Sequence, residues 1–306
     1  MPELPEVETT RRGLQRHLVG RKIAEVVVRE RRLRWPVPGE LAEQLPGRRV
    51  LGVGRRAKYL LVHFENGTVI AHLGMSGSLR IVDAGSPHDV HEHLDLVLDD
   101  GRCLRFKDPR RFGCFLWWTG PPELHSLLKN LGPEPLPERP SRNLSSPQVV
   151  RDCDEGLQPC PAKAGARDPG AGIRFSGAYL FEKSRGRSVA IKNFLMNSRV
   201  VVGVGNIYAN EALFGACIHP SRAAGKVSRA RYEDLARAIQ EVLRAAIKKG
   251  GTTLRDFVNG TGEPGYFSTH LSVYDREGQI CPRCSARIRA RRLGQRSTYW
   301  CPRCQR

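Results

Sequence analysis

The stretch CPRCSARIRARRLGQRSTYWCPRC, residues 281–304, holds two Cys-x-x-Cys pairs separated by sixteen residues. Each pair can present two thiolates to one ion from a tight turn, and this spacing is typical of a four-cysteine zinc site. Four cysteines fill a tetrahedral shell and leave no position for water, so the sequence predicts one structural zinc ion. We expect a zinc-pinned β-hairpin over residues 272–306, with these ligands: Cys281, Cys284, Cys301 and Cys304.

The charge of this module indicates its partner. Residues 281–306 contain several arginines and no acidic residue, so the module stays positive although four thiolates and Zn²⁺ sum to −2. Across the whole chain, 50 Lys and Arg residues face 31 Asp and Glu residues, a net charge of +19. Such an excess is typical of proteins that bind nucleic acids, although charge alone does not separate DNA from RNA.

Upstream of the zinc module the sequence has no long apolar run, and its first residues are acidic and rich in proline. These features argue against a membrane span and against a signal peptide. We therefore expect a cytoplasmic protein whose cysteines are metal ligands or buried thiols rather than disulfides.

Residues 22–118 read as a series of short strands rich in β-branched and aromatic residues, with hairpin turns at Asn66-Gly67 and at Asp99-Asp100-Gly101. Regularly spaced short strands predict a sandwich or barrel. The apolar spacing of residues 5–19 predicts a helix. We expect a helix packed on a β-sandwich as the N-terminal domain, residues 2–135.

After this domain the composition of the chain changes first, and a helical pattern then follows. Residues 136–175 are crowded with Pro, Gly, Ser and charged residues, which predicts a linker or insertion. Helical patterns follow around Tyr179–Asn197, from Asn206, and from Ser228 to Gly250-Gly251. Residues 176–268 are therefore expected to form a helical domain, and the fold class is α+β multidomain.

The first residues, PELPEVET at 2–9, pose a separate question. Pro5 and the acidic residues suit a helix start, but Pro2 and Glu3 precede that helix. Removal of Met1 would expose the Pro2 nitrogen, an α-amine that is about one-third neutral near pH 7.4, against about 0.1% for a free lysine. A secondary amine condensed with an aldehydic sugar carbon gives a permanently cationic iminium, an electron sink, and Glu3 is placed to move protons for it.

Motifs along nearly the whole chain are similar to those of the formamidopyrimidine-DNA glycosylase family, bacterial enzymes that excise oxidised purines such as 8-oxoguanine. The resemblance implies a β-sandwich, a helix-two-turn-helix domain and a zinc finger, with duplex DNA containing oxidised bases as the partner of a monomer. Only the segment of about residues 140–175 falls outside the resemblance, because it is longer than expected for the connection between the two domains. The matching segments are PELPEVET, RRAKYLL (55–61), HLGMSGSLRI (72–81), DPRRFG (108–113), VVGVGNIYANEALF (201–214), GGTTLRDF (250–257) and GYF (265–267).

The resemblance assigns roles residue by residue. Pro2 matches the Schiff-base nucleophile, Glu3 the proton donor for base release, and Glu6 a residue beside the damaged nucleotide. Lys58 matches the lysine of β-elimination, and Arg296 the arginine linked to phosphate binding and δ-elimination.

Other matches concern DNA contacts. Asn206 matches the turn asparagine that holds phosphates beside the lesion, and three residues match the set that enters the duplex as the nucleotide swings out: Met75, Arg110 and Phe112. Residues 252–267 resemble a mobile loop over the flipped base. Further DNA-contact candidates are His91, Arg187 and Lys192.

Two alternatives stay open. One is the sister activity of endonuclease VIII type on oxidised pyrimidines, which the PELPEV start and the complete Met/Arg/Phe set disfavour. The other is a zinc-containing DNA-binding protein without catalysis.

Overall fold

The computed structural model describes residues 2–136, 174–251 and 271–306. In that part of the chain two four-stranded antiparallel sheets, a group of helices and a C-terminal hairpin confirm the expected fold class. The helices are α1 (Leu4–Leu18), α2 (Glu40–Gln44), α3 (Gly177–Ser184), α4 (Ile191–Leu195), α5 (Asn206–Gly215) and α6 (Arg229–Lys248). The strands are β1 (Ile23–Val28), β2 (Gly52–Arg56), β3 (Tyr59–Phe64), β4 (Gly67–His72), β5 (Ser78–Asp83), β6 (Glu92–Leu98), β7 (Arg102–Lys107), β8 (Cys114–Trp118), β9 (Arg289–Leu293) and β10 (Arg296–Trp300).

The N-terminal sandwich is built from eight short strands, β1 to β8, in the region where the sequence predicts a series of strands. One sheet has the order β1-β6-β7-β5 and the other the order β2-β3-β4-β8. Phe106 of the first sheet and Phe115 of the second meet with ring centroids 5.0 Å apart. Helix α1 buries Val7, Leu14 and Leu18 in the same core, which fixes the N-terminus of the chain against the sandwich.

The helical domain differs from the sequence expectation at one place. The stretch Tyr179–Asn197 forms two helices, α3 and α4, rather than one, because the backbone turns at Gly186, whose φ is +70°. Helix α6 is as expected: Ser228 caps its first turn, and its buried residues recur at helical spacing. Gly250 and Gly251 follow its end with positive φ.

The C-terminal hairpin pairs β9 with β10 through a two-residue turn. Both central residues, Gly294 and Gln295, have positive φ, as a type I′ turn requires, and Arg296 opposite Leu293 begins the returning strand. Across the described ranges no helix is long and apolar enough to span a bilayer. The expected linker (136–175) lies almost wholly outside the described residues, as does the expected loop at 252–267, and the domain boundaries stay predictions.

Candidate active site and nucleic-acid interface

The site forms where the beginnings of α1 and α5 meet. Glu3 caps α1, and its buried carboxylate accepts hydrogen bonds from the backbone N–H groups of Gly205 (2.7 Å) and Ile207 (3.0 Å) at the start of α5. The approach is close: a Cβ on Gly205 would lie 2.2 Å from the Glu3 carboxyl carbon. A helix N-terminus offers unpaired N–H donors and a positive dipole end, so it suits a carboxylate. Pro2, also buried, directly precedes this carboxylate in the chain.

A second buried carboxylate completes the α1 start. Glu6 accepts a hydrogen bond from the Glu3 backbone N–H (2.8 Å) and another from the Tyr208 hydroxyl (2.7 Å). Two carboxylates and one tyrosine therefore join the start of α1 to α5.

Lys58 places a positive charge where it acts on both Glu3 and Glu6. It lies half-buried in the turn between β2 and β3, beside Ala57, whose φ is +55°. Burial lowers the pKa of Lys58, as does Arg296, while the charges of Glu3 and Glu6 act in the opposite direction. A lysine with a lowered pKa has a larger neutral fraction and is a better base.

The same surroundings act on Glu3 in the other direction. Burial raises the pKa of Glu3, and neighbouring Glu6 raises it further, against the opposing effects of Lys58 and the α5 N–H donors. A carboxyl with a raised pKa keeps its proton to higher pH, which suits a proton donor. Burial thus raises the pKa of Glu3 and lowers that of Lys58, and each shift is in the direction that suits a proton donor and a base near neutral pH.

The zinc hairpin reaches this site through Arg296. Its side chain is exposed, and its charge acts on both Lys58 and Lys192. The four cysteine sulfurs lie within 4.8 Å of one another, with separations of 3.9 Å for Cys281–Cys304 and 3.4 Å for Cys284–Cys301. Tetrahedral zinc with Zn–S bonds of about 2.3 Å needs sulfurs about 3.8 Å apart, so these residues fit one zinc ion.

Lys192 lies beneath that hairpin and not on the surface. Its side chain has no exposed area, and its ammonium donates to the Ser297 carbonyl (2.8 Å) and to the Thr298 hydroxyl (2.7 Å). Burial lowers the pKa of Lys192 to about 8, and Arg296 lowers it as well. The sequence predicted that Lys192 contacts DNA directly. In the structure Lys192 is instead fully buried, and it supports β10 from within the protein.

The three residues expected to enter the duplex lie on two adjacent loops of the sandwich. Met75 is on the β4–β5 loop and Phe112 on the β7–β8 loop, and both are about 40% exposed, at 39% and 42%. The Arg110 guanidinium lies 4.9 Å from the Phe112 ring centroid. Exposed apolar side chains beside an arginine are suited to stacking against a base.

Of the remaining candidates, one lies at the site and two lie elsewhere. Asn206 is the first residue of α5, next to the Glu3 cradle. His91 is exposed just before β6, and Arg187 is exposed between α3 and α4. The structure therefore brings Glu3, Glu6, Lys58 and Arg296 together. It leaves His91 and Arg187 on separate surface loops.

One site residue has no signal in the sequence. Glu134, after the sandwich, accepts hydrogen bonds from Arg55 (2.8 Å), from Arg56 (2.9 Å) and from the N–H of Ala57 (2.7 Å). This carboxylate holds the turn that carries Lys58. Gly205 could have been found, since the GVGN pattern marks a close backbone approach, whereas a lone glutamate 77 residues from its partner Ala57 could not.

Comparison with known proteins decides the family. A curated relative, the formamidopyrimidine-DNA glycosylase of Methylococcus capsulatus, is 56% identical over 306 residues and covers 100% of both chains. The chain belongs to the formamidopyrimidine-DNA glycosylase family. Three family models agree: the N-terminal domain of these enzymes at residues 1–115, their H2TH domain at 166–258, and the zinc finger found in FPG and IleRS at 278–306.

Solved structures of this glycosylase family share the whole architecture. An FPG mutant of Lactococcus lactis in complex with DNA containing Fapy-dG superposes with a TM-score of 0.82 at 31% identity, covering 100% of both chains. The Lactococcus lactis Fpg complex with DNA containing an abasic site gives a TM-score of 0.81 at 30% identity over 99% of both chains. The sandwich, helical domain and zinc hairpin described above are those of a DNA glycosylase of base-excision repair.

Proposed function

We propose that this glycosylase excises oxidised purines, including 8-oxoguanine and formamidopyrimidines, from duplex DNA and then cleaves the strand as a lyase. The observation that carries the proposal is the buried Glu3 carboxylate, held on the start of α5 directly beside Pro2. The Fapy-dG ligand of the Lactococcus lactis relative supports the substrate class. We further propose that the protein acts as a monomer on the chromosome in the cytoplasm.

The first step uses the ring nitrogen of Pro2 after Met1 has been removed. Its lone pair forms a bond to C1′ of the damaged nucleotide while the glycosidic bond breaks. The base leaves with the bonding electrons and takes a proton from Glu3, whose raised pKa keeps that proton available. The C1′–O4′ bond then opens, O4′ becomes a hydroxyl, and Pro2 gives up its N–H proton to leave a cationic iminium.

Strand cleavage follows from that iminium. Lys58, with its lowered pKa, removes a proton from C2′, and the electrons of that C–H bond convert the iminium into an enamine. The enamine electrons then form the C2′–C3′ double bond and re-form the iminium, and the 3′-phosphate departs with the electrons of its bond to C3′. A second elimination releases the 5′-phosphate and leaves a one-nucleotide gap. Arg296, exposed at the start of β10, binds the phosphate during this step.

Access to C1′ requires extrusion of the damaged nucleotide. Met75 and Phe112 fill the gap left in the stack, and Arg110 hydrogen-bonds the widowed base. Asn206 holds the backbone phosphates beside the lesion from the start of α5. The arginine-rich hairpin, pinned by zinc, supplies positive charge along the duplex; the ion itself has a structural role and its four cysteines leave it no open position.

Borohydride trapping on duplexes of one sequence tests this function. With 8-oxoguanine we expect a covalent protein–DNA adduct, and with thymine glycol a much weaker one. Pro2→Gly is expected to lose most of the adduct while still binding DNA that carries a stable abasic analogue, which controls for folding. No adduct with either lesion would favour a non-catalytic DNA-binding protein, and preference for thymine glycol would favour the endonuclease VIII-type activity.

A further inference from the structure

Asp108 links the two loops that carry Met75 and Phe112. It lies at the end of β7 with no exposed area, and its carboxylate accepts hydrogen bonds from the backbone N–H of Gly113 (2.7 Å), from the Ser76 hydroxyl (3.2 Å) and from the Arg110 N–H (3.3 Å). Ser76 belongs to the β4–β5 loop, residues 73–77. Arg110 and Gly113 belong to the β7–β8 loop, residues 108–113. One buried carboxylate thus binds both loops.

The backbones of these loops are also in direct contact. A Cβ on Gly74, whose φ is +66°, would lie 2.6 Å from the Gly113 nitrogen, and a Cβ on Gly113 would lie 2.6 Å from the His72 carbonyl oxygen. Only glycine permits this approach. Neither loop can therefore move far without displacing the other, and the Asp108 carboxylate lies at their junction, 3.1 Å from that Gly113 Cβ position.

The main chain of Asp108 extends the same junction. Its carbonyl oxygen is 2.8 Å from Nε2 of the buried His93, and its N–H donates to the His91 carbonyl (2.9 Å). These two contacts tie Asp108, the first residue of the β7–β8 loop, to β6 and to the residue just before it. Its carboxylate is a rigid anchor, not a mobile surface charge.

We propose that Asp108 is a positioning residue that makes the two loops act as one unit, so that Met75 and Phe112 enter the duplex together. The inference rests on the proposed function of these residues in extrusion. Asp108 contacts neither DNA nor the reacting atoms, since it is wholly buried. Its effect falls on extrusion of the damaged nucleotide and leaves the chemistry at Pro2 unchanged.

Asp108→Asn is the direct perturbation. The amide has nearly the same shape, but its NH₂ cannot accept the hydrogen bonds that one carboxylate oxygen now accepts. We expect single-turnover excision of 8-oxoguanine from a duplex to fall about tenfold or more, because a charge-assisted hydrogen bond is lost. Cleavage at a preformed abasic site in single-stranded DNA, which needs no extrusion, should stay within about twofold. Asp234→Asn, at an exposed ion pair with Arg237, is the matched control.

Two further measurements separate coupling from a loss of folding. In a double-mutant cycle, Met75→Ala and Phe112→Ala should be strongly non-additive for duplex excision in the wild-type background and close to additive in Asp108→Asn. A 2-aminopurine next to the lesion should report slower extrusion in Asp108→Asn, and Ser76→Ala should show a smaller effect of the same kind.

Equal loss on duplex and single-stranded substrates, or unchanged non-additivity in Asp108→Asn, would overturn the coupling proposal. Failure of the wild-type protein to cleave the abasic strand would instead refute the proposed lyase function. The two failures are therefore distinguishable within one set of assays.

Discussion

Gly205→Ala tests whether the Glu3 cradle is needed for base release. The Gly205 backbone lies in the extended region (φ −108°, ψ −155°), which alanine also adopts, so the substitution strains no dihedral angle. Its methyl group would nevertheless lie 2.2 Å from Cδ and 2.4 Å from Oε1 of Glu3. The carboxylate must leave its place, and the 2.7 Å hydrogen bond from the Gly205 N–H is the first to be lost.

A hydrogen bond to a charged group contributes about 1.5–3 kcal/mol. At about 1.4 kcal/mol per factor of ten, losing it should slow 8-oxoguanine excision by about 10- to 100-fold. Single-turnover kinetics on an 8-oxoguanine duplex measure this rate. Cleavage of a preformed abasic site bypasses base release, and we expect a smaller loss there.

The matched control is Gly85→Ala, since a Cβ at that glycine meets nothing within 4 Å and its φ is not positive. It should leave both rates unchanged. The double variant Gly205→Ala with Glu3→Gln should be no slower than Glu3→Gln alone, because both changes disable one carboxylate. A Gly205→Ala protein that excises 8-oxoguanine at the wild-type rate would refute the role given to the cradle.

Three other perturbations have defined outcomes. Burial alone would raise the pKa of Glu8, but hydrogen bonds and charges from neighbouring arginines outweigh it and lower this pKa to about 2. Ionised Glu8 therefore stabilises the fold fully above pH 4.5, and this stabilisation is lost as the pH falls toward 2. In urea unfolding, the free energy of unfolding of Glu8→Gln should be lower than that of the wild-type protein by at most about 3 kcal/mol at pH 7, and the difference should disappear near pH 2. A difference that does not change with pH would contradict this role of Glu8. Lys58→Met should retain base excision and slow β-elimination at least about tenfold, which a gel assay that scores both steps can measure. Equal slowing of both steps would show that Lys58 is not specific to elimination. Removal of zinc by a chelator should release the hairpin and weaken duplex binding, with Zn²⁺ alone restoring it; binding that persists without metal would disprove the hairpin's part.

The parts of the fold predicted from sequence are those set by local pattern. Short segments rich in β-branched and aromatic residues predicted the strands of the sandwich, the Cys-x-x-Cys spacing predicted the zinc hairpin, and apolar periodicity predicted α1 and α6. The break between α3 and α4 was missed because a single glycine in a helical pattern does not by itself end a helix. Gly186 ends it here with a left-handed backbone.

The candidate site was less predictable, because its geometry depends on long-range contacts. Glu3 could be singled out as the neighbour of Pro2, but its partners at the start of α5 lie more than 200 residues away. The sequence offers no sign that Lys192 is buried, since its acceptors on β10 lie 105 and 106 residues further along the chain. Lysine is usually a surface residue, and only tertiary acceptors make its burial tolerable.

Mapping the covalent link gives the most direct test of the whole account. The protein is trapped with borohydride on an 8-oxoguanine duplex, digested, and sequenced by mass spectrometry. We predict that the sugar remnant is attached to the nitrogen of an N-terminal Pro2 in protein that has lost Met1. A remnant attached to Lys58 or another lysine, or full activity in protein that retains Met1, would contradict the claim that Pro2 is the nucleophile.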